Sequence, residues 1–293
     1  MKKKIINIFI IIFFIIGLSL LLYPTVANQW NTYRQSKLMS NYEEQVDEME
    51  SSGEVDMGAE WEKAQAYNEA LLPTILPDSF AIAEAKEEED RTYTSSLNLT
   101  GDGMMGKIVI PKIDVNLPIF HYTTKEVLEE GVGHLEGSSL PIGGENTHSV
   151  LSAHRGLPSA ALFTDLDRLK EGDHFLLYIL DDVLCYEVDQ IKVVEPKETQ
   201  DLAVEEGKDL VTLFTCTPYG VNTHRLLVRG HRVPYEEAIL EDEGVPTANR
   251  SLHTHYILWV IVGLAVTGLL IWIMYWIDKK RRKRRSSERE GEV

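Results

Sequence analysis

Two long apolar runs bracket this chain. Between them, hydrophobic positions fall first at helical and then at strand spacing. Ile5 to Tyr23 is almost wholly apolar, and Tyr256 to Ile277 forms the second run. A helix needs about 20 apolar residues to cross a bilayer, and both runs approach or reach that length. Lys2, Lys3 and Lys4 precede the first run, and the basic string Lys279 to Arg285 follows the second. Basic flanks stay on the cytoplasmic side. The pattern therefore predicts a hairpin with both termini in the cytoplasm and residues 24–255 on the extracellular face. Each run has an alternative. The first fits a cleaved signal peptide, with Thr25-Val26-Ala27 as a poor cleavage site. The second fits a buried core helix, although its dense basic flank speaks against that.

Within the exported part, Asn28 to Ser51 is polar and rich in helix formers. Ala59 to Leu72 sets Trp61, Ala64, Asn68, Leu71 and Leu72 near one face at helical spacing, and Pro73 ends the pattern. Glu84 to Asp90 is acidic and poor in apolar residues, which predicts a solvated loop. Thr100 to Gly103 is a turn cluster. From Gly106 short runs of valine, isoleucine, leucine and threonine alternate with turns. They predict strands over Lys107–Ile110, Val115–Phe120, Ser149–His154, His174–Ile179, Leu184–Val194, Leu210–Thr215 and His224–Val233. Such spacing predicts a mainly β domain, a barrel or a sandwich. Pro158 to Leu169 is the helix expected inside it, with proline in the first turn. Glu236 to Arg250, containing Gly244 and Pro246, reads as a linker. The expected divisions are a basic flank (1–4), a span (5–23), a helical segment (24–104) and a β domain (105–235). A linker (236–255), a second span (256–277) and a basic tail (278–293) follow.

Charge sharpens this division. Residues 24–255 carry 18 Lys and Arg against 42 Asp and Glu, a net charge of −24, whereas the whole chain carries −17. An acidic exported domain lacks the basic face that nucleic-acid binding requires. There is no CxxC pair, no HExxH and no glycine-rich phosphate loop. The nine histidines form no cluster with ligand spacing. Neither a metal nor another cofactor is expected.

The candidate chemistry lies in three strings. Cys216 ends the run Thr212-Leu213-Phe214-Thr215-Cys216. Arg225 opens the next run, across the segment Thr217 to His224. His154 stands where the run before it gives way to Arg155-Gly156. If the strands around Cys216 and Arg225 pair as a hairpin, the two lie close together. A cation favours the thiolate, which is the nucleophilic form of cysteine. Histidine moves protons near neutral pH, and arginine stays charged and holds a developing oxyanion. Plainer readings stand beside this one. Exported cysteines often pair, so a Cys185–Cys216 disulfide is open. Cys185, in Val183-Leu184-Cys185-Tyr186, reads as a small buried hydrophobe. The other eight histidines, His224 and His231 among them, read as surface or hydrogen-bonded groups. Arg229 and Arg232 read as ion-pair partners in an acidic domain.

Thr212-Leu213-Phe214-Thr215-Cys216 resembles the TLxTC signature of sortases, the membrane-bound transpeptidases of Gram-positive bacteria. His154 and Arg225 stand at the positions of that family's histidine and arginine. The strings His154-Arg155-Gly156-Leu157-Pro158 and Thr217-Pro218-Tyr219-Gly220-Val221-Asn222-Thr223-His224-Arg225 are most similar to the pilus-assembling class C members. The resemblance implies an eight-stranded β-barrel with an N-terminal helical and lid segment, here flanked by two transmembrane helices. It implies that Cys216 attacks the threonine–glycine bond of an LPxTG-like sorting signal, that His154 protonates the departing amine, and that Arg225 steadies the oxyanion. A lysine amine of another pilin then resolves the thioester. Class C members also carry a lid tip with an aspartate, a proline and an aromatic residue. Here the tip reads Asp78-Ser79-Phe80. Serine in place of proline makes it less rigid. The resemblance implies that Asp78 pairs with Arg225 and that Phe80 covers Cys216. Three other functions remain open: anchoring of surface proteins to peptidoglycan, a non-catalytic ectodomain stapled by a disulfide, and simple cysteine hydrolysis, which differs only in acceptor.

Overall fold

The computed structural model describes residues 2–71, 78, 80 and 91–235, together with helical positions 263, 268, 272, 276 and 279. The chain divides into two compact units, residues 1–22 with 249–293, and residues 23–248. Helix α1 (Lys2–Ser52) carries the first apolar run, with Pro24 inside it. Among the described residues it is the one helix long and apolar enough to cross a membrane. The expected second span at 256–277 and the linker at 236–255 lie outside the described residues, apart from the isolated helical positions. The expected acidic loop at 84–90, Pro73 and Ser79 also lie outside them.

In the second unit, Met39, Tyr42 and Val46 of α1 fall one helical turn apart and bury against Met104 and Phe120. Gln35 donates to the Glu130 carbonyl at 2.7 Å, and Arg34 pairs with the Glu130 side chain. Helix α2 (Met57–Ala70) starts at Asp56, whose carboxylate accepts from the Ala59 amide at 3.2 Å, a standard N-cap. Ala64 and Tyr67 bury against the barrel, and Trp61 and Leu71 are partly buried there. Two shorter helices follow, α3 (Arg91–Ser95) and α4 (Lys125–Glu130), α4 being capped by Thr124.

Eight strands close into a barrel. They are β1 (Met104–Ile110), β2 (Val115–His121), β3 (Val132–His134) and β4 (Thr147–Ser152). The others are β5 (His174–Ile179), β6 (Asp182–Val194), β7 (Asp209–Thr217) and β8 (His224–Val233). The order around the barrel is β1-β2-β3-β4-β7-β8-β6-β5. Two neighbouring pairs, β2 with β3 and β4 with β7, are parallel, and the rest are antiparallel. Ile108 and Ile110 are buried while Lys107 and Val109 are half-exposed, the alternation of a strand with one face in a core. β7 is buried along nearly its whole length. Val211 and Leu213 point into the interior, and Phe214 joins Leu135, Val150, Leu202 and Leu227 in a second cluster outside it.

Two expectations need correction. Strand β3, with Gly133 at its centre, is too short to show periodicity in the sequence. The helix expected over Pro158–Leu169 does not form. Only a 3₁₀ turn at Leu166–Arg168 is helical there. Leu162 takes a left-handed φ of 43°, and side chains of α1 capture the backbone. Asn31 donates to the Ser159 carbonyl at 2.8 Å, and the Ala161 amide donates to Asn28 at 2.7 Å. Burial of Phe163, Leu166 and Leu169 in the core is met by an irregular loop instead.

Candidate active site

Strand parity puts two of the three candidate residues on one surface. Leu151 and Ala153, Leu213, and Leu226 and Val228 fill the barrel interior. Their alternates Val150, Phe214 and Leu227 pack outside it. Stepping by two along β7 and β8 places Cys216 and Arg225 on that same outer face, and His154 lies two residues beyond the end of β4.

Register brings them together. Cys216 faces Arg225 directly in the antiparallel β7–β8 ladder. β4 runs parallel to β7 with Ser152 beside Phe214, and the Ala153 amide donates to the Phe214 carbonyl at 3.2 Å. His154 follows two residues beyond the end of β4, its ring 5.3 Å from that of Phe80, which also stacks on Phe214 of β7. Thr215 reinforces the β4–β7 register by donating its hydroxyl to the Ala153 carbonyl at 2.7 Å. Beyond His154 the chain turns at Gly156, whose φ is +79°. The Tyr219 ring packs so closely there that a Cβ on Gly156 would lie 3.0 Å from it.

Asp78 and Phe80 lie against this surface. Arg225 donates through Nε and Nη2 to the two carboxylate oxygens of Asp78, each at 2.7 Å. Its Nη1 donates to the carbonyls of Asn222 and His224, each at 3.2 Å. The Phe80 ring lies 5.3 Å from the His154 ring and 5.9 Å from that of Phe214, with the Arg225 guanidinium 5.4 Å from its centre. Cys216 is left 8% exposed.

This enclosure sets the protonation states. Burial raises the Cys216 thiol above its ordinary value, Arg225 pulls it down and Asp78 pushes it up. The net shift is upward, so the enclosed cysteine is a thiol at neutral pH. Burial lowers the His154 imidazole, opposed by the Glu129 carboxylate, so the ring is neutral. Hydrogen bonding to Asp78 raises Arg225 further. The enclosed site therefore holds a neutral thiol and a neutral imidazole beside a charged guanidinium paired with a carboxylate.

The alternative disulfide does not form. Cys185 and Cys216 are both buried thiols, unbonded to each other. Cys185 pairs with Val233 near one end of the β6–β8 ladder, while Arg225, opposite Cys216, pairs with Val194 near the other. That separation along the strand is about 30 Å at ~3.3 Å per residue, far beyond disulfide reach. Arg229 is an ion-pair residue, bidentate to Asp189 at 2.9 and 3.0 Å and bonded to Glu205 at 2.6 Å. A cavity of about 1060 Å³ opens at the opposite end of β4 and β7, where Trp61, Asn68, Thr147, Asp209 and Arg232 line it. None of the three candidate residues lines it. Among the described residues, no group of three or more His, Cys, Asp or Glu side chains is arranged to hold a metal ion.

Three residues beside the candidates emerge only from the structure. Thr215, Thr217 and Arg155 bond across from the histidine segment to the cysteine strand. Their sequence signal is slight: they are the immediate neighbours of Cys216 and His154.

With this geometry in place, the comparisons with known proteins are informative. A sortase-domain family model matches residues 108–233. The chain is 30% identical to sortase D of Bacillus subtilis over 172 residues, which cover 58% of this chain and 83% of that protein. It is similar to crystal structures of two class C enzymes. Streptococcus pneumoniae sortase C is 43% identical with a TM-score of 0.63, over 68% of this chain and 98% of that one. Sortase C-1 of Actinomyces oris is 48% identical with a TM-score of 0.57, over 61% and 98%.

Proposed function

The chain belongs to the sortase family, and from that premise we propose that it is a pilin-joining transpeptidase held at the outer face of the membrane, with both termini in the cytoplasm. Its substrate is an LPxTG-like sorting signal, and its acceptor is a lysine amine of another pilin. One observation carries this reading. Cys216 and Arg225 are cross-strand partners, and a carboxylate sits in the arginine's fork. An anion held there by two charge-assisted bonds stands where a tetrahedral oxyanion would be held. Similarity to class C enzymes favours pilin as substrate. Pilin substrate specificity belongs to the pneumococcal protein and is extended to this chain as part of the proposal.

The reaction follows from the side chains. Withdrawal of Asp78 and Phe80 frees the guanidinium and opens the thiol. Cys216 passes its proton to His154 and attacks the threonine carbonyl carbon as thiolate. The carbonyl oxygen takes the negative charge, and Arg225 holds it. The threonine–glycine bond breaks, the glycine nitrogen leaves with the proton from His154, and a thioester remains on Cys216. A neutral lysine amine then attacks the thioester and gives its proton to His154. Sulfur departs as thiolate and regains that proton. The products are an isopeptide bond and the starting thiol.

The test is mass spectrometry of Cys216 after exposure to a sorting-signal peptide. The expected adduct equals the peptide fragment ending at threonine. Cys216→Ala forms no adduct, and His154→Ala and Arg225→Ala slow it by about 100-fold or more. An unmodified thiol both in the wild type and in an Asp78→Ala variant sinks the reading. Incubation with a pilin carrying the signal should yield a ladder of covalent multimers. Products joined only to short wall peptides would move the assignment to surface-protein anchoring.

A further inference from the structure

The imidazole of His154 has no hydrogen-bond partner among the described residues. Its ring contact is Phe80, 5.3 Å away, on the tip proposed to leave before substrate enters. A cysteine–histidine pair usually has a third group that orients the base. Here orientation during turnover has to come from the backbone that carries His154.

That backbone is fixed on both sides. Ahead of it, the Ala153 carbonyl accepts from Thr215 at 2.7 Å. Behind it, the His154 carbonyl accepts from the Phe163 amide at 3.1 Å. Arg155 then turns back across the gap, its side chain only 8% exposed. Its Nε donates to the Thr164 carbonyl at 3.1 Å, its Nη1 donates to Thr217 Oγ1 at 3.0 Å, and its Nη2 pairs with Asp167. The Gly156 amide adds a bond to Thr164 Oγ1 at 3.1 Å. Arg155 directly follows His154, and Thr217 directly follows Cys216. One planar guanidinium thus links the neighbour of the imidazole to the neighbour of the thiol.

We infer that Arg155 is a positioning residue that sets the spacing of His154 and Cys216 through its bond to Thr217. It touches neither substrate nor the reacting atoms. Three directed bonds from one rigid fork make this a task for arginine, because a lysine ammonium at the end of a flexible stem cannot hold Thr164 and Thr217 together. Small misplacements of a reacting group are costly, about 100-fold for an ångström. The inference rests on the functional reading above, since it assigns a position to that reading's proton carrier.

The experiment is a double-mutant cycle in the full chain with a sorting-signal peptide as probe. Arg155→Gln and Thr217→Val should each lower kcat by about 10- to 100-fold while KM stays within about twofold. The double variant should be no slower than the slower single variant, because both break one link. Thr217→Ser, which keeps the acceptor oxygen, should retain the wild-type rate, and Arg155→Lys should not. Rates that multiply in the double variant, or kcat per folded molecule that matches wild type, overturn the inference. If Arg155→Gln fails to fold, the contrast of Thr217→Val with Thr217→Ser decides alone. An inert wild type sinks the functional reading itself, whereas an active wild type with unaffected variants sinks only the positioning role.

Discussion

A carboxylate in the fork of Arg225 is the contact on which the enclosed state turns. Burial raises the thiol most, and Asp78, which pairs with the guanidinium, raises it further. Replacing Asp78 removes an anion whose partner then seeks water, so the tip is released. Asp78→Ala should raise iodoacetamide labelling of Cys216 by about tenfold, equivalent to about 1.4 kcal/mol of closed-state stability. The labelling inflection should also move to lower pH. Both influences that raise the thiol weaken, and Arg225, which lowers it, remains. Unchanged labelling would count against a latch. The sequence located Cys216, His154 and Arg225 by chemistry and by family likeness, and Asp78 and Phe80 by likeness alone. Arg155 was not legible, because its partners lie nine and 62 residues away and no local pattern marks a bond to a backbone carbonyl.

Seven of the eight strands were legible because each has enough alternating or continuous apolar residues to reveal its period. β3 has three residues and gains its place from Ile119 to His121 on one side and from Leu151 and Ser152 on the other. The helix expected after Pro158 lost to side-chain capture by Asn28 and Asn31, residues over 120 positions away. β3 also carries His134, wholly buried. Its Nδ1 bonds the Tyr93 hydroxyl and its Nε2 the Ser139 carbonyl, each at 2.8 Å, joining α3 to the barrel. Burial pushes its pKa down to about 3, and His121 and His148 are lowered for the same reason. An unfolded histidine takes its proton near pH ~6.5. Below that value the unfolded chain binds more protons, so the contribution of these histidines is fully present above it and is lost as the solution is acidified towards about pH 3. His134→Gln, which can keep one donor and one acceptor, should flatten this dependence by as much as ~1.4 kcal/mol per pH unit. Urea unfolding at several pH values reads the slope, and an identical slope in the variant refutes the assignment.

At the scale of the whole molecule, the charge pattern and the two apolar runs lead to the expectation of an acidic exported domain between two anchors, and α1 carries the first of those runs. The thiol count did not settle which cysteines pair, because chain spacing carries no register. The barrel does settle it by setting Cys185 and Cys216 at opposite ends of adjoining ladders. Titration of the unreduced, denatured chain should therefore find two thiols, and mild oxidation of the native protein should form no bond between them. A mass loss of two hydrogens within one chain would contradict the barrel order. The parallel pairing of β4 with β7 has a further effect on how activity arises during folding. Parallel neighbours need a long crossover, so the whole stretch from Arg155 to Lys208 must settle before the segment carrying His154 meets the strand carrying Cys216. Such distant contacts assemble slowly. A half-built chain thus carries a sulfur with no imidazole segment beside it, and the two strands meet only in the finished barrel.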